Sequence, residues 1–291
     1  MKRPQWITAA LALVAVLGLY AATSRQIFSS KQQPPAQAEA GGHAHSHEGH
    51  EDAELSVDTL LARAKETLTP EQASRLNFLE KSITRGDVAS QQLHVYHQLA
   101  GFWRDSARMF EPYAWYAGQA ARLENSEKSL TFAAHLFLDN LRVEENPELK
   151  HWKALQARDL FERSLKVNPG NDSSEVGLGA VYLYGGIESP MTGIQRIRTV
   201  VEKHPDNVYA HMTLGHASVL SGQLDKAVER FSRVVELQPS SLEAVISLAE
   251  VYERKGENAN AIAWYKKSLP LVPVEGLKKE VEKRIAELSK K

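Results

Sequence analysis

Two stretches of equal length decide the fold: residues 208–241 (VYAHMTLGHASVLSGQLDKAVERFSRVVELQPSS) and residues 242–275 (LEAVISLAEVYERKGENANAIAWYKKSLPLVPVE). Both place a Leu followed by a small residue early in the stretch, an Ala and an aromatic residue in its second half, and a Pro near its end. The matching positions are Leu214-Gly215 and Leu248-Ala249, Ala227 and Ala261, Phe231 and Tyr265, and Pro239 and Pro273. A fixed period of this length indicates stacked structural repeats.

The pattern resembles the tetratricopeptide repeat, a pair of antiparallel helices. Residues 172–207 carry the same marks at Leu178-Gly179, Tyr182, Gly186 and Pro205, with two extra residues in the turn between the helices. Residues 127–171 carry them on the second helix, at Ala157, Phe161, Ser164 and Pro169. We expect the first helix of that unit over Glu127–Leu141 and an inserted loop at VEENPELKHWK, residues 143–153. The resemblance implies an all-α superhelix, a solenoid of helix pairs, over residues 127–275.

The segments on either side of these repeats are also predicted to be helical. Residues 55–126 show no convincing alternation of apolar and polar residues, so we interpret them as helices in degenerate repeats. One of these helices begins with a capping box at Thr69-Pro70-Glu71-Gln72. Residues 276–291 are mostly charged and carry a single apolar face, which is typical of a helix that closes a stack. That face consists of Leu277, Val281, Ile285 and Leu288.

The N-terminus predicts a membrane anchor. Residues 1–24 contain Lys2 and Arg3 followed by an uncharged run from Trp6 to Ser24. The run is just long enough to cross the hydrocarbon layer as a helix, and Trp6 and Tyr20 lie near its two ends. A cleaved signal peptide is the alternative. Both interpretations place the rest of the chain outside the cytoplasm, and we expect a single-pass inner (cytoplasmic) membrane protein with a periplasmic C-terminal domain.

Residues 25–54 predict a disordered linker rich in Gln, Pro, Ala, Gly and Ser. Within it lie four histidines, His43, His45, His47 and His50. Neutral imidazoles bind Zn or Cu well, so a metal-binding or metal-handling envelope protein is one alternative function. The histidines of His47-Glu48-Gly49-His50 are three residues apart rather than four, so they do not form the catalytic zinc motif. No other cofactor is expected.

Composition narrows the chemistry further. There is no cysteine, which excludes disulfides and thiolate metal sites. The formal net charge is −1, so the chain has no overall positive charge that would attract nucleic acid. No phosphate-binding loop, dinucleotide fingerprint or nucleophile elbow occurs. We therefore expect no enzyme. The remaining enzymatic alternative is an unrecognised site in residues 55–126, using His94, His97 or nearby carboxylates.

The resemblance implies that the first helices of successive repeats line a concave groove that takes a peptide or a helix of a protein partner. The residues implied to line it are Val176, Ala180, Leu183, Tyr184, Tyr209, Met212, His216, Val219, Glu243, Ile246, Glu250 and Arg254. We expect the groove to be apolar and aromatic at first and acidic toward Glu243 and Glu250. It lacks the Lys and Asn of repeats that clamp chaperone C-termini. The layout of one anchor ahead of repeats is similar to that of bacterial periplasmic assembly factors.

Overall fold

The computed structural model describes residues 55–83 and 89–290. In these residues helices follow one another with short turns, and there is no strand, which confirms the all-α fold class. The predicted membrane anchor, the linker and its histidines fall in residues 1–54 and lie outside the described residues. Within the described part of the chain, no helix is both long enough and apolar enough to cross a membrane.

Thirteen α-helices occupy the described residues, and we number them in chain order. They are α1 (Val57–Glu66), α2 (Pro70–Ile83), α3 (Ala89–Gly101), α4 (Phe110–Glu124), α5 (Glu127–Leu141), α6 (Pro147–Val167), α7 (Asp172–Gly185), α8 (Pro190–Lys203), α9 (Val208–Leu220), α10 (Leu224–Leu237), α11 (Leu242–Arg254), α12 (Asn258–Ser268) and α13 (Glu275–Leu288). A π-helical segment, Phe102–Ala107, continues α3, and a short 3₁₀ turn, Leu269–Leu271, continues α12.

The helices α5 to α12 form four antiparallel pairs, α5–α6, α7–α8, α9–α10 and α11–α12, each packed mainly on its own partner and then on the next pair. A capping residue precedes each first helix: Ser126, Asn171, Asn207 and Ser241. The side-chain oxygen of each cap accepts a hydrogen bond from the backbone N–H three residues later. These caps satisfy an otherwise unpaired donor and fix where each repeat begins.

Small residues bring the two helices of a pair together. A Cβ atom added to Gly215 would lie 2.4 Å from Cε1 of Phe231, and one added to Gly179 would lie 2.6 Å from the side chain of Ile197. Ala227 and Ala261 have no exposed surface. The large side chain of one helix therefore fills the space left by the small residue of the other, and the apolar faces are buried between pairs.

The prediction of a loop over residues 143–153 was wrong for most of its length. Only the first residues form a turn, and α6 begins at Pro147 with Asn146 as its cap. The inserted residues lengthen this helix and bury Lys153, whose side chain is 1% exposed. The Lys153 ammonium lies 2.9 Å from Glu111 and also pairs with Glu144, so it joins α4, α6 and the turn between α5 and α6.

The N-terminal helices α1 to α4 pack around Leu99 and Trp103, neither of which has exposed surface. The aromatic residues of this region that are most buried, Phe102, Trp103 and Tyr116, belong to the same core cluster. The predicted capping box is confirmed: the Thr69 N–H donates to the Gln72 side chain at 3.0 Å, and the Gln72 N–H donates to the Thr69 hydroxyl at 3.3 Å. At the other end of the stack, α13 covers α12 with Leu277, Val281 and Leu288.

Candidate protein-binding groove

The first helices of the repeats present their side chains to one shared surface. The His135 ring on α5 lies 2.9 Å from the Ser173 hydroxyl at the start of α7, and its centroid is 5.5 Å from the Tyr209 ring on α9. On the same surface, Nε2 of His216 on α9 lies 3.3 Å from a carboxylate oxygen of Glu243 on α11. These contacts link α5 to α7 and α9, and they link α9 to α11.

Arg142, the residue that follows α5, reaches over this surface. Its guanidinium lies 5.3 Å from the centre of the Tyr184 ring, a cation–π arrangement. Its positive charge also acts on the Tyr209 hydroxyl and on the carboxylate of Glu243, and favours the ionised form of both. Arg142 therefore lies close enough to influence side chains of α7, α9 and α11.

Two acidic residues lie along the α11 side of this surface. The Glu243 side chain is 67% exposed, yet surrounding protein still opposes its ionisation by removing part of its solvation. The nearby His216 ring outweighs that effect and lowers the pKa of Glu243. Glu250 is half-buried, and loss of solvation raises its pKa to about 7. The surrounding protein therefore acts on the ionisation of both carboxyl groups.

The predicted groove residues divide into two sets. Four of them are buried and contribute packing rather than accessible surface: Val176 and Ala180, with no exposed surface, Ile246 at 5% and Met212 at 8%. The other eight are half-buried or exposed: Leu183, Tyr184, Tyr209, His216, Val219, Glu243, Glu250 and Arg254. We use the term groove below for the surface formed by these eight residues together with His135, Arg142 and Ser173.

As residues implied to line the groove, Tyr209, Met212 and His216 are expected to face solvent and to contribute little to packing between repeats. The structure contradicts this. Met212 belongs to the core cluster that contains Phe231, and the His216 ring lies edge-on to Phe231 with centroids 5.1 Å apart. Tyr209 packs against the cluster formed by α7, α8 and α9, and its buried hydroxyl makes no hydrogen bond to any described residue. Helix α9 is covered on several sides, so most of its positions carry part of the core.

The acidic end of the groove is a single face of α11. Glu243, Glu250 and Glu253 lie along it at helical spacing. The Glu253 carboxylate accepts a hydrogen bond from the Tyr265 hydroxyl at 3.1 Å and from Nε of Arg284 at 3.0 Å. Glu250 has neither a hydrogen bond nor an ion pair with any described residue, and only the nearby charges of Arg254 and Arg284 favour its ionisation.

The sequence interpretation missed His135 and Arg142 because it did not extend the groove into the first repeat, and it missed Ser173 at the start of α7. Two histidines at equivalent helix positions show that the first pair shares the arrangement of the third. The His135 ring lies edge-on to Phe161 at 5.1 Å, as the His216 ring does to Phe231 at 5.1 Å. His135 therefore occupies in the first pair the place that His216 occupies in the third.

Residues 55–126 were the alternative location for an enzyme site, and they hold a cavity of about 530 Å³. It is lined by Arg75, Leu79, Gln98, Gly101, Phe102, Asp105 and Ser106. The carboxylate of Asp105 is paired with the adjacent Arg104 at 2.8 Å. His94 and His97 are exposed, and His97 lines a separate cavity of about 180 Å³. Among the residues described here, no nucleophile is hydrogen-bonded to a base in either cavity, so neither resembles an assembled active site.

In residues 55–83 and 89–290, no group of three or more His, Cys, Asp or Glu residues is arranged to hold a metal ion. The predicted metal ligands His43, His45, His47 and His50 lie outside these ranges, so a metal site in the linker stays a prediction.

Residues 213–275 match the sequence model of the tetratricopeptide repeat family. This match coincides with the two pairs α9–α10 and α11–α12, where the repeat pattern is clearest. The chain is also 27% identical over 180 residues to the human interferon-induced protein with tetratricopeptide repeats 2, an alignment that covers 55% of this chain and 38% of that protein. Residues 213–275 are thus similar to tetratricopeptide repeats, and the chain spans 38% of the length of this relative.

Solved structures with a similar arrangement include PilW, described as a widely conserved type IV pilus biogenesis factor. It is 18% identical, with a TM-score of 0.49 over 67% of this chain and 85% of that one. MamA from Desulfovibrio magneticus is 24% identical, with a TM-score of 0.44 over 64% of this chain and 96% of that one. YrrB, described as a TPR protein with an unusual peptide-binding site, is 19% identical, with a TM-score of 0.42 over 70% and 97%. At these levels of likeness no binding mode is transferred to this chain.

Proposed function

We propose that this chain is a membrane-tethered, non-catalytic scaffold that binds a segment of a partner protein in the groove. The observation that carries the proposal is the shared surface of the first helices of four repeats, which contacts of His135, Arg142 and His216 link to one another. Its side chains are accessible, while the apolar residues needed for folding are buried between the pairs. A surface that the fold does not need to bury is free to bind a partner.

The groove differs along its length. Tyr184 on α7 and Tyr209 on α9 provide aromatic surface beside Arg142 and His135 of the first repeat, and Arg142 adds a positive charge there. Toward the last repeat, carboxylates predominate. Aromatic residues and arginine are the types that dominate protein interfaces, so this half of the groove would supply most of the affinity. The charges at its two ends would then fix the direction in which a bound segment lies.

The tether and the compartment are the parts of the proposal that depend on residues 1–24. Lys2 and Arg3 before an uncharged run of membrane-spanning length support an anchor with the repeats outside the cytoplasm. Reporter fusions at Lys291 should be active only outside the cytoplasm, and the mature protein should keep its N-terminus. Activity inside the cytoplasm would overturn the topology, and a new N-terminus near Ser24 would overturn the anchor.

Groove binding is tested with the full chain in membranes. The double substitution Arg142→Glu with Glu243→Lys reverses two exposed groove charges and leaves the net charge and the buried packing unchanged. The matched control is Lys226→Glu with Glu229→Lys on the exposed face of α10. We expect the groove variant to lose its crosslinked partner proteins, measured by quantitative mass spectrometry, and the control to retain them. Equal partner lists from two folded variants would contradict the proposed function.

A further inference from the structure

We propose that the acidic end of the groove receives a cationic side chain, a lysine or an arginine, of the bound segment, and that Glu250 is its counter-charge. This inference rests on the proposed function, since it assigns the chemistry of the segment that the groove binds. It starts from the difference between three carboxylates on one face of the same helix.

Two of the three carboxylates on α11 are already engaged. Glu253 is held by Arg284 and Tyr265, and Glu243 lies beside His216. Glu250, between them on the same face, has no hydrogen-bond partner among the described residues. A carboxylate with two unused oxygens in a partly desolvated place is an unfilled acceptor, and a cation brought against it would restore the lost solvation.

The groups around Glu250 leave its charge uncompensated. On its own helix α11, Arg254 favours the ionised form and Glu253 opposes it. From α13, Arg284 also favours ionisation, but its guanidinium is bound to the Glu253 carboxylate. From α12, the Tyr265 hydroxyl donates to Glu253 and supplies no charge. Together these effects hold the pKa of Glu250 at about 7. A cation bound beside the carboxylate would lower this pKa, so that Glu250 would release its proton.

The size and type of the partner group follow from the same surroundings. Glu250 lies near enough to Tyr265 to act on its hydroxyl, and the buried positions of α11 are apolar apart from Ser247. A long aliphatic side chain with a charged end can cover such a surface while its end reaches the carboxylate. A hydrated metal cation lacks this complementarity, and the described residues offer no group of ligands for one.

The probes are three short synthetic peptides of leucine and alanine that differ at one central position, which is lysine, glutamine or norleucine. Each is titrated into the isotope-labelled full chain in detergent and followed by NMR. At about pH 8 we expect the lysine peptide to bind about fivefold or more tightly than the glutamine peptide, the effect of one partly screened charge pair. The shifted resonances should map to α9 and α11.

Two variants and one titration test the role of Glu250. Glu250→Gln should remove the preference for lysine, while Glu229→Gln, an exposed carboxylate on α10, should keep it. The preference of the wild type for the lysine peptide should also fall at about pH 5.5, where Glu250 is protonated. The lysine peptide should lower the pKa of Glu250, followed through the chemical shift of its carboxyl carbon.

The outcomes separate this inference from the proposed function. Binding of all three peptides in the groove with equal affinity would overturn the inference and leave groove binding in place. A lysine preference that survives Glu250→Gln would assign the cation to another carboxylate and would also overturn it. Shifts confined to the second helices of the repeats, or no binding by the lysine peptide, would count against the groove and the inference together.

Discussion

Replacing Glu250 by glutamine should make the protein more stable at neutral and alkaline pH. Glutamine keeps the size and shape of the side chain and removes its charge. In the folded protein, loss of solvation raises the pKa of Glu250 from the ordinary 4.5 to about 7. The folded state therefore holds this proton more tightly than the unfolded chain, and the wild type loses stability as pH rises between these two values.

The magnitude follows from the size of this change. Each tenfold change in proton affinity corresponds to about 1.4 kcal/mol, so the full difference amounts to about 3 kcal/mol above pH 8. Glu250 is half-buried rather than buried, and solvent screens part of this cost. We therefore expect Glu250→Gln to stabilise the protein by about 1–3 kcal/mol at about pH 8 and to leave its stability unchanged at about pH 4.

The assay is urea unfolding followed by far-ultraviolet circular dichroism, with wild type, Glu250→Gln and Glu229→Gln compared at the same series of pH values. Glu229 is exposed on α10, so its substitution should change the free energy of unfolding by less than about 0.5 kcal/mol at every pH. A difference between wild type and Glu250→Gln that is independent of pH would mean that Glu250 ionises as an ordinary surface carboxyl. The inference that Glu250 lies in a desolvated environment would then be wrong.

Three further predictions concern the rest of the chain. Gly215→Ala should destabilise the fold by about 1–3 kcal/mol in the same urea assay, because the added methyl group overlaps the Phe231 ring of the paired helix. The control, Gly276→Ala, adds its methyl group in open space and should be neutral. Lys153→Ala should cost about 2–4 kcal/mol, because it leaves two partly buried carboxylates without their partner, and the exposed Lys166→Ala serves as its control in thermal unfolding. Deleting residues 43–50 should abolish zinc or copper binding measured by calorimetry without changing helix content, and an unchanged metal titration would dispose of the metal site.

The repeats could be predicted from sequence because their packing is local. Each pair needs a small residue facing a large one, as at Gly215 and Phe231 or Gly179 and Ile197, and needs a cap and a proline at its ends. These requirements recur with every unit and therefore appear as a period. The beginning of α6 was missed for a related reason: Asn146-Pro147 is typical of a turn and equally of a helix cap followed by its first residue.

The groove could be predicted only in part, because accessibility in a stack depends on neighbouring repeats. Val176 and Ala180 occupy groove positions by register, but the adjacent helices cover small apolar side chains completely. Longer polar or aromatic side chains at equivalent positions, such as Tyr184 and Glu243, extend past their neighbours and stay accessible. Arg142 follows the end of α5, outside the helical period, so no repeat pattern identifies it.

Glu250 connects the fold to the proposed function through two effects of opposite sign. If Glu250 were part of the packing, its replacement would reduce stability or leave it unchanged, and a cationic peptide would bind equally well. If Glu250 is an unfilled acceptor in the groove, the same replacement raises stability above neutral pH and removes the preference for lysine. Desolvation without a partner disfavours the carboxylate in the free protein, and pairing with a bound cation offsets that cost in the complex. Observing both changes in one variant would therefore distinguish a binding residue from a structural one.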